Sequence, residues 1–289
     1  MSAAGRTAAQ DYLARVQETS GGWGYQARQR AFVEPTALCL LALADSTQTA
    51  ARQAGVAWLE QMQLPDGSWG VSAADPEGGW ATAWAIWALT STAATSPALA
   101  RAVSWWATWQ DQRGQVPPGR DPVLWLDFSV TGWPWNPGGA SWVEPTALGL
   151  IALVRAGQGA HPRVAEGVRY LRDRACATGG WNVGNPYMLG QNLPPAIPPT
   201  ALALMALQET GLAETDPLVS AGLATLERLL QQAHTPLNLA WGLWGARRYQ
   251  RHGEDLIARL EKHQAPDGSW RDSPYLTAVA ILALGEAAR

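Results

Sequence analysis

The sequence predicts an all-α fold, an α6–α6 toroid built from six helix-pair repeats. Two observations predict it: a short motif, Gln-x-x-x-Gly-x-Trp, recurs along the chain, and a nearly all-apolar segment follows each copy. The motif spans Gln17 to Trp23, Gln63 to Trp69 and Gln264 to Trp270. Self-similarity with a period of roughly 20–50 residues is the signature of a repeat architecture.

The apolar segments are the second helix of each repeat. They start at Thr36, Thr82, Thr146, Thr200 and Thr277, and a weaker copy starts at Leu239. A soluble chain buries a helix that is apolar on every side, so these segments are predicted to form an inner ring. The regular spacing is that of a two-helix unit. Two longer spacings predict insertions near residues 112–142 and 182–198, within one domain that spans residues 1–289.

The first helix of each repeat is amphipathic. Leu223, Leu226 and Leu230 fall on one face, and Glu227 and Arg228 occupy the others. This pattern is typical of a helix with one side on a core and one side in water, and it predicts an outer ring. Open solenoids end in atypical polar caps. Here the first and last repeats carry the same motif, so we expect the last repeat to pack on the first.

The motif itself has a structural interpretation. Pro-Asp-Gly, at residues 65–67 and 266–268, forms tight turns. A glutamine side chain can bond backbone groups at a helix end, and a tryptophan adds a large apolar face with one N–H donor. We therefore expect the motif to link an outer helix to its neighbour rather than to carry chemistry.

Composition excludes several classes of function. The net charge is −3 at pH 7 and the only lysine is Lys262, so no basic footprint for nucleic acid is present. Neither the two cysteines nor the four histidines have metal-ligand spacing, and we expect no metal and no cofactor. No apolar run is long enough for a transmembrane segment, and no signal peptide is recognisable. A cytoplasmic protein is expected, with peripheral attachment to a membrane left open.

Tryptophan is unusually abundant, with 17 copies against two phenylalanines. Two interpretations compete: the indoles fill the wide gaps of a toroid, or some of them line an axial cavity where their faces could hold a polyisoprenoid or a carbocation. The residues proposed to bind a substrate are Trp84, Trp87, Trp125, Trp133, Trp135, Tyr187, Trp241 and Trp244.

The repeat motif resembles the QW motif of squalene–hopene and oxidosqualene cyclases. With its Thr-Ala helices, the whole chain is similar to the prenyltransferase and squalene-oxidase repeat superfamily, which includes class II terpene cyclases, protein prenyltransferase β subunits and complement thioester domains. The resemblance implies an α6–α6 barrel, an isoprenoid ligand and, since related barrels work with a second domain or subunit, a partner chain or a homo-oligomer. One fold hosts several functions, so the resemblance is more specific for fold than for activity.

Class II cyclases carry a DxDD-Thr-Ala motif whose middle aspartate protonates the substrate. The matching segments here are residues 32–37 and 142–147, and they place Glu34 and Glu144 where that aspartate falls. The first and last acids of the motif are absent. An acid in the first turn of a helix, beside a proline, also matches ordinary helix N-terminal preferences, which is the structural alternative.

Asp127 is the third proposed acid. It lies in the first insertion among Trp125, Phe128 and Trp133, and apolar surroundings would raise its pKa and suit a general acid. The alternative is that Asp127 caps a turn or pairs with an arginine. The sequence thus predicts either a cyclase-like enzyme that acts on an isoprenoid by acid catalysis, or a non-catalytic toroid that binds a lipid, a peptide or a partner subunit.

Overall fold

The computed structural model describes residues 1–93, 95–109, 121, 123–251 and 253–285. This part of the chain contains twelve α-helices and four two-residue strands. The outer helices are α1 (Ala3–Arg15), α3 (Thr49–Met62), α5 (Pro97–Thr108), α7 (Pro162–Asp173), α9 (Pro217–Gln231) and α11 (Glu254–Glu261). The inner helices are α2 (Val33–Leu43), α4 (Ala81–Thr92), α6 (Val143–Arg155), α8 (Ile197–Glu209), α10 (Pro236–Arg247) and α12 (Pro274–Leu284).

The inner helices form a closed ring. Each contacts the next in the order α2, α4, α6, α8, α10, α12, and α12 then contacts α2. The outer helices pack against the outside of this ring, and α1 contacts both α12 and α2. The all-α toroid predicted from the repeats is confirmed. The inner helices are almost fully buried because their Thr-Ala segments have no polar face to leave in water.

The repeat motif links three helices through hydrogen bonds. In the second copy, Gln63 Nε2 donates to the Ala98 carbonyl in the first turn of α5, at 2.8 Å. The Trp69 indole N–H donates to the Leu59 carbonyl near the end of α3, also at 2.8 Å. The Trp69 backbone N–H donates to Thr82 Oγ1 at the start of α4, at 2.9 Å. The motif therefore joins one outer helix to the next outer helix and to the inner helix between them, as expected.

The same link closes the ring. Gln264 Nε2, in the last repeat, donates to the Gly5 carbonyl in α1 at 2.9 Å. Gly268 has a φ of 90°, and a Cβ at this position would lie 2.2 Å from the Ala8 carbonyl oxygen. Only glycine permits this approach, because it has no Cβ and adopts positive φ without strain. The Tyr12 hydroxyl adds a hydrogen bond to Asp272 Oδ1 at 3.0 Å.

The two insertions carry the short strands. In the first, β1 (Trp133–Pro134) pairs antiparallel with β2 (Ser141–Trp142), and residues 110–120 and 122 lie outside the described ranges. In the second, β3 (Tyr187–Met188) pairs antiparallel with β4 (Gln191–Asn192). The insertions contact each other, since the Leu189 N–H donates to the Val123 carbonyl at 3.3 Å. No helix in the described ranges combines the length and the apolar character that a membrane crossing requires.

Candidate active site

One equivalent position of each repeat lines a cavity at the N-terminal ends of the inner helices. The position lies two residues before the threonine of each Thr-Ala segment, or before Leu239 in the fifth repeat. Its six occupants are Glu34, Trp80, Glu144, Pro198, Leu237 and Tyr275. The cavity, called the upper cavity below, has a volume of about 350 Å³. This volume lies near the lower end of the range for small-molecule sites.

The floor of the upper cavity lies one helical turn deeper. Each floor residue follows, by four residues, the equivalent position described above, and residues four apart share one helix face. The floor residues are Trp84, Leu148, Leu202 and Trp241. Two indoles of this floor and two that lie deeper form a cluster on the axis, called the tryptophan cluster: Trp84, Trp241, Trp87 and Trp244. Trp84 stacks on Trp87 with centroids 5.3 Å apart, and Trp87 stacks on Trp244 at 5.4 Å. The predicted residues Trp84 and Trp241 therefore line the upper cavity, and Trp87 lies beneath it.

Glu34 is the most perturbed acid of the site. It lies in the first turn of α2, where its half-buried side chain faces the upper cavity, and the Tyr25 hydroxyl donates to its Oε2 at 2.6 Å. Burial raises the pKa of Glu34 to about 7; the hydrogen bond from Tyr25 opposes the rise, and the charge of Glu144 adds to it. A carboxyl with a pKa near neutrality holds a proton that it can donate, which is the property of a general acid.

Glu144 occupies the equivalent position on α6. Burial raises its pKa as well. The negative charge of Glu144 raises the pKa of Glu34, so an ionised Glu144 favours the protonated form of Glu34 in the cavity that both line. The structure thus brings together two of the three predicted acids, at a site that could donate a proton from one carboxyl and accept one at the other.

The walls of the upper cavity are aromatic. Trp135, from the first insertion, packs edge-to-face against Trp80 with centroids 4.9 Å apart. The Tyr25 and Tyr275 rings lie 5.5 Å apart, and the Trp241 indole N–H donates to the Tyr275 hydroxyl at 3.2 Å. Among the described residues that line the cavity there is no lysine, arginine or histidine. The site therefore combines π faces and carboxyls without a fixed positive charge.

Asp127 lies elsewhere. Its Oδ1 accepts hydrogen bonds from the Ser129 N–H at 2.9 Å and from the Ser129 hydroxyl at 2.6 Å, which is the geometry of a turn cap. Its backbone carbonyl accepts from Arg174 Nη2 at 3.3 Å. Asp127 is not among the described residues that line the upper cavity. The geometry corresponds to the turn-capping alternative, because side chains adjacent along a loop need not surround one another in space.

Three predicted aromatic residues lie away from the upper cavity. Trp133 is fully buried, stacks on Trp106 at 5.8 Å, and donates its backbone N–H to Thr146 Oγ1 at 2.9 Å. It occupies the position of the motif tryptophan in the third repeat, so its ring packs between the outer helix α5 and the inner helix α6 and not on the axis. Trp125 is 56% exposed and lies near Tyr187, with ring centroids 6.3 Å apart, where the two insertions meet.

A second cavity lies at the opposite end of the toroid. This lower cavity, of about 260 Å³, is lined by Trp87, Trp244 and side chains near the C-terminal ends of the inner helices, including Arg155 and Arg248. The carboxylate of Glu209 accepts from Arg155 Nε at 3.0 Å and from Arg248 Nη2 at 2.6 Å. The predicted residues Trp87 and Trp244 therefore line this cavity, and the tryptophan cluster separates it from the upper one.

Several residues of the upper cavity were missed by sequence reasoning, namely Tyr25, Trp80, Leu148, Pro198, Leu202, Leu237 and Tyr275. Most of them could have been found from the repeat register, since they share the positions of Glu34 and Trp84 relative to the inner-helix start. No group of three or more histidine, cysteine, aspartate or glutamate residues suited to a metal ion occurs in the described ranges.

Comparison with known proteins gives similarity in sequence and, over more of the chain, in structure. No family model matches the chain. A squalene–hopene cyclase from Bradyrhizobium diazoefficiens is 33% identical over 160 residues, which cover 51% of this chain. The match spans only 22% of that cyclase. Its activity therefore does not transfer to this chain by similarity alone.

The structural likeness covers nearly the whole chain. The type II terpene cyclase MstE from Scytonema superimposes with a TM-score of 0.69 over 97% of this chain and 96% of that one, at 18% identity. Further structures of MstE variants contain geranylgeranyl dihydroxybenzoate, described as substrate, and merosterolic acid A, described as product. A protein from Actinoplanes gives a TM-score of 0.67 over 98% of both chains, at 19% identity. At identities this low, the likeness establishes the fold alone: this chain has the class II terpene cyclase-like fold.

Proposed function

We propose that this chain cyclises a short isoprenoid in the upper cavity, with Glu34 as the proton donor. The observation that carries the proposal is a single carboxyl with a pKa near 7, hydrogen-bonded by Tyr25, in an aromatic cavity on the axis of a terpene cyclase-like toroid. The resemblance of residues 32–37 to the cyclase acid motif supports it, and so do the isoprenoid complexes of MstE.

The reaction follows from the groups at the site. The Glu34 O–H protonates a terminal double bond, or the oxygen of an epoxide, and leaves a carbon cation. The π electrons of a second double bond attack this carbon, form a ring bond and move the positive charge along the chain. The faces of Trp80, Trp84 and Trp241 stabilise that charge through their quadrupoles.

Glu144 completes the proton balance. The final cation loses a proton from a neighbouring carbon to the Glu144 carboxylate, which forms the product double bond. Proton exchange between the two carboxyls and water then restores a protonated Glu34 and an ionised Glu144. The effect of Glu144 on Glu34 supports this division of roles, since the negative charge of an ionised Glu144 raises the pKa of Glu34 and favours its protonated form.

A non-catalytic binding function is the second candidate. The tryptophan cluster closes the axis beneath the upper cavity, so the cavity is shallow, and the first and last acids of the cyclase motif are absent. A toroid that only holds a small apolar ligand would need no proton donor. In that case Glu34 and Glu144 could be replaced by glutamine with no loss of function.

The test is turnover of a panel of short linear isoprenoid alcohols, epoxides and hydrocarbons, with products identified by gas chromatography and mass spectrometry. We expect Glu34→Gln to lower the rate by about 10²–10⁴-fold, the usual contribution of a general acid. Glu144→Gln tests the proposed base, and Asp127→Asn is the matched control, expected to keep wild-type turnover. Equal turnover by wild type and Glu34→Gln, both folded by circular dichroism, would refute the proposal.

A further inference from the structure

We propose that the lower cavity binds a phosphate monoester with a small apolar tail, and that Arg6 is the residue that recognises the phosphate. This binding function lies at the opposite end of the toroid from the proposed reaction, and it does not depend on whether the chain cyclises an isoprenoid. It depends on the position of Arg6, on the arginines that line the same cavity and on the indoles beneath them.

The position of Arg6 is not explained by helix direction. Arg155, Arg247 and Arg248 lie at the C-terminal ends of inner helices, where the helix dipole favours a cation. Arg6 lies instead near the N-terminal end of α1, which begins at Ala3 and where the dipole disfavours a cation. Its half-buried side chain is nevertheless among those that line the lower cavity. Arg6 therefore calls for a stabilising partner other than the end of its own helix.

The described part of the chain supplies no such partner. Within it, the Arg6 side chain makes no hydrogen bond and no ion pair. Asp45 is the acid among the described lining residues, and it forms no ion pair with Arg6 there. By contrast, Arg155 and Arg248 share the carboxylate of Glu209. A half-buried guanidinium group has lost part of its hydration, so a bound anion that accepts its hydrogen bonds would stabilise it.

The arginines of the lower cavity come from three helices, which favours a phosphate over a carboxylate. Arg6 belongs to α1, Arg155 to α6, and Arg247 and Arg248 to α10. A phosphate monoester has three acceptor oxygens and a charge of about −1.5 to −2, so it can accept from donors that approach from several directions. A carboxylate offers two oxygens in one plane and suits a single guanidinium group best.

The positive charges of the cavity also affect one another. Burial lowers the pKa of Arg248, the charge of Glu209 opposes the fall, and the charge of Arg155 adds to it. An anion placed among these groups would relieve the repulsion between them. The electrostatics of the cavity therefore agree with the ligand that the position of Arg6 indicates.

The floor of the lower cavity would hold the apolar tail. Trp87 and Trp244 lie there with ring centroids 5.4 Å apart, and the guanidinium carbon of Arg155 lies 5.3 Å from the centroid of Trp87. The aliphatic side chains among the lining residues are Leu41, Ile281 and Leu282. At about 260 Å³ the cavity lies below the usual range for small-molecule sites, so it suits only a small tail.

The cavity is accessible from water. Asp45 and Ser91 are both exposed, and both are among the lining residues. A ligand can therefore enter without displacing an inner helix. The acidic Asp45 opposes an anion, and the arginines outnumber it among the described lining residues.

The experiment is isothermal titration calorimetry of the whole chain with hexyl phosphate and with hexan-1-ol, at about pH 8 and constant ionic strength. We expect hexyl phosphate to bind at least about tenfold more tightly than the alcohol. Arg6→Gln should weaken hexyl phosphate by about tenfold or more and leave the alcohol unchanged, since it removes only donors to the phosphate. Arg169→Gln, at an exposed arginine on α7, removes the same charge away from the cavity and should behave as wild type.

Folding does not confound this test. Because the Arg6 side chain makes no bond within the described residues, Arg6→Gln should leave the midpoint of urea denaturation unchanged. Ser91→Trp, at an exposed position of the lining, places an indole in the cavity and should weaken hexyl phosphate and hexan-1-ol alike. Glu34→Gln, which tests the proposed reaction in the upper cavity, should bind hexyl phosphate as wild type does.

Several outcomes would overturn the inference. Equal affinities for hexyl phosphate and hexan-1-ol would exclude recognition of the phosphate, and equal effects of Arg6→Gln and Arg169→Gln would exclude Arg6. Inorganic phosphate that binds as tightly as hexyl phosphate would exclude a site for the apolar tail. Hexanoate that binds as tightly would replace the phosphate by a carboxylate. None of these results changes the expected loss of isoprenoid turnover in Glu34→Gln, so the two proposals can fail separately.

Discussion

The two ends of the toroid are built from the same six inner helices, and yet their charges are opposite. The upper cavity, at the helix N-termini, contains Glu34 and Glu144, whereas the lower cavity contains Arg155 and Arg248. Acids at helix N-termini and bases at C-termini are the arrangement that helix dipoles favour. The sign of the charge at each end therefore follows from helix direction and is not in itself a sign of function.

The difference lies in how each end deals with its charge. At the lower end, the Glu209 carboxylate is paired with both Arg155 and Arg248, so these groups stay charged and are stabilised by ion pairs. At the upper end, the Tyr25 hydroxyl donates a hydrogen bond to Glu34, and burial raises the pKa of Glu34 to about 7, so a proton neutralises the carboxylate near neutral pH. A group that is neutralised by a proton can exchange that proton with a ligand, and this property distinguishes the upper cavity.

The largest expected effect on stability concerns the tryptophan cluster, which separates the two cavities. Trp87 is 5% exposed and stacks between Trp84 and Trp244. We expect Trp87→Ala to lower the free energy of unfolding by about 3–5 kcal/mol and to join the two cavities. Urea denaturation measures the loss. Trp125→Ala, at an exposed indole, is the control and should cost less than about 1 kcal/mol. A similar loss of stability from both variants would contradict the role of the tryptophan cluster in the core.

The next effect is a pH dependence that arises at the upper end. The unfolded pKa of a glutamate is about 4.3, and the folded pKa of Glu34 is about 7. Between these values the folded chain holds the proton more tightly, so the free energy of unfolding falls as the pH rises, by at most about 3–4 kcal/mol. The measurement is the difference between wild type and Glu34→Gln in urea denaturation across this range. A difference that does not change with pH would contradict the raised pKa.

A smaller effect tests the hydrogen bond at the upper end. The Tyr25 hydroxyl stabilises the ionised form of Glu34, so Tyr25→Phe should raise the pKa of Glu34 further. A hydrogen bond worth about 1 kcal/mol corresponds to a shift of somewhat less than one pH unit in the stability profile. Tyr275→Phe is the matched control, because its hydroxyl accepts from Trp241. A shift of equal size in both variants would show that the bond to Glu34 is not the cause.

The smallest effect is expected at the lower end. Arg155→Gln leaves Glu209 paired with Arg248, so we expect a loss of about 1 kcal/mol or less in the free energy of unfolding. The loss should be independent of pH between about 5 and 8, because guanidinium groups stay charged there. Glu209→Gln should cost more, since two arginines would lose one shared carboxylate. A strong pH dependence for Arg155→Gln would remove the contrast between the two ends.

The fold was predictable because the same motif and the same apolar segment recur along the chain. Each Thr-Ala segment forms an inner helix. Its threonine hydroxyl accepts a hydrogen bond from the backbone N–H of the motif tryptophan, as Thr36 and Thr82 show. The sequence analysis places Trp133 in a cavity because it lies in the tryptophan-rich first insertion. The signal that identifies Trp133 as the motif tryptophan of its repeat is its spacing: it precedes Thr146 by thirteen residues, as Trp23 precedes Thr36.

The site was predictable only where it follows the repeat register. Glu34 and Glu144 were found because both precede a Thr-Ala segment by two residues, and Tyr275 satisfies the same rule. Tyr25 could not be found in this way, because a loop brings it to Glu34 through a bridge between Trp23 and Phe32. Asp127 shows the opposite case: its aromatic neighbours in sequence do not place it in the upper cavity, and its carboxylate caps the turn at Ser129.

Ring closure has a consequence for how this protein is made. The apolar face of α1, with Tyr12 and Leu13, is completed by α12 and by the turn that contains Asp272. A ribosome delivers α1 first and α12 more than 250 residues later, so the nascent chain must carry an uncovered helix through most of its synthesis. Contacts so distant in sequence form slowly. Holding factors that shield α1 until α12 emerges would therefore raise the yield of closed rings.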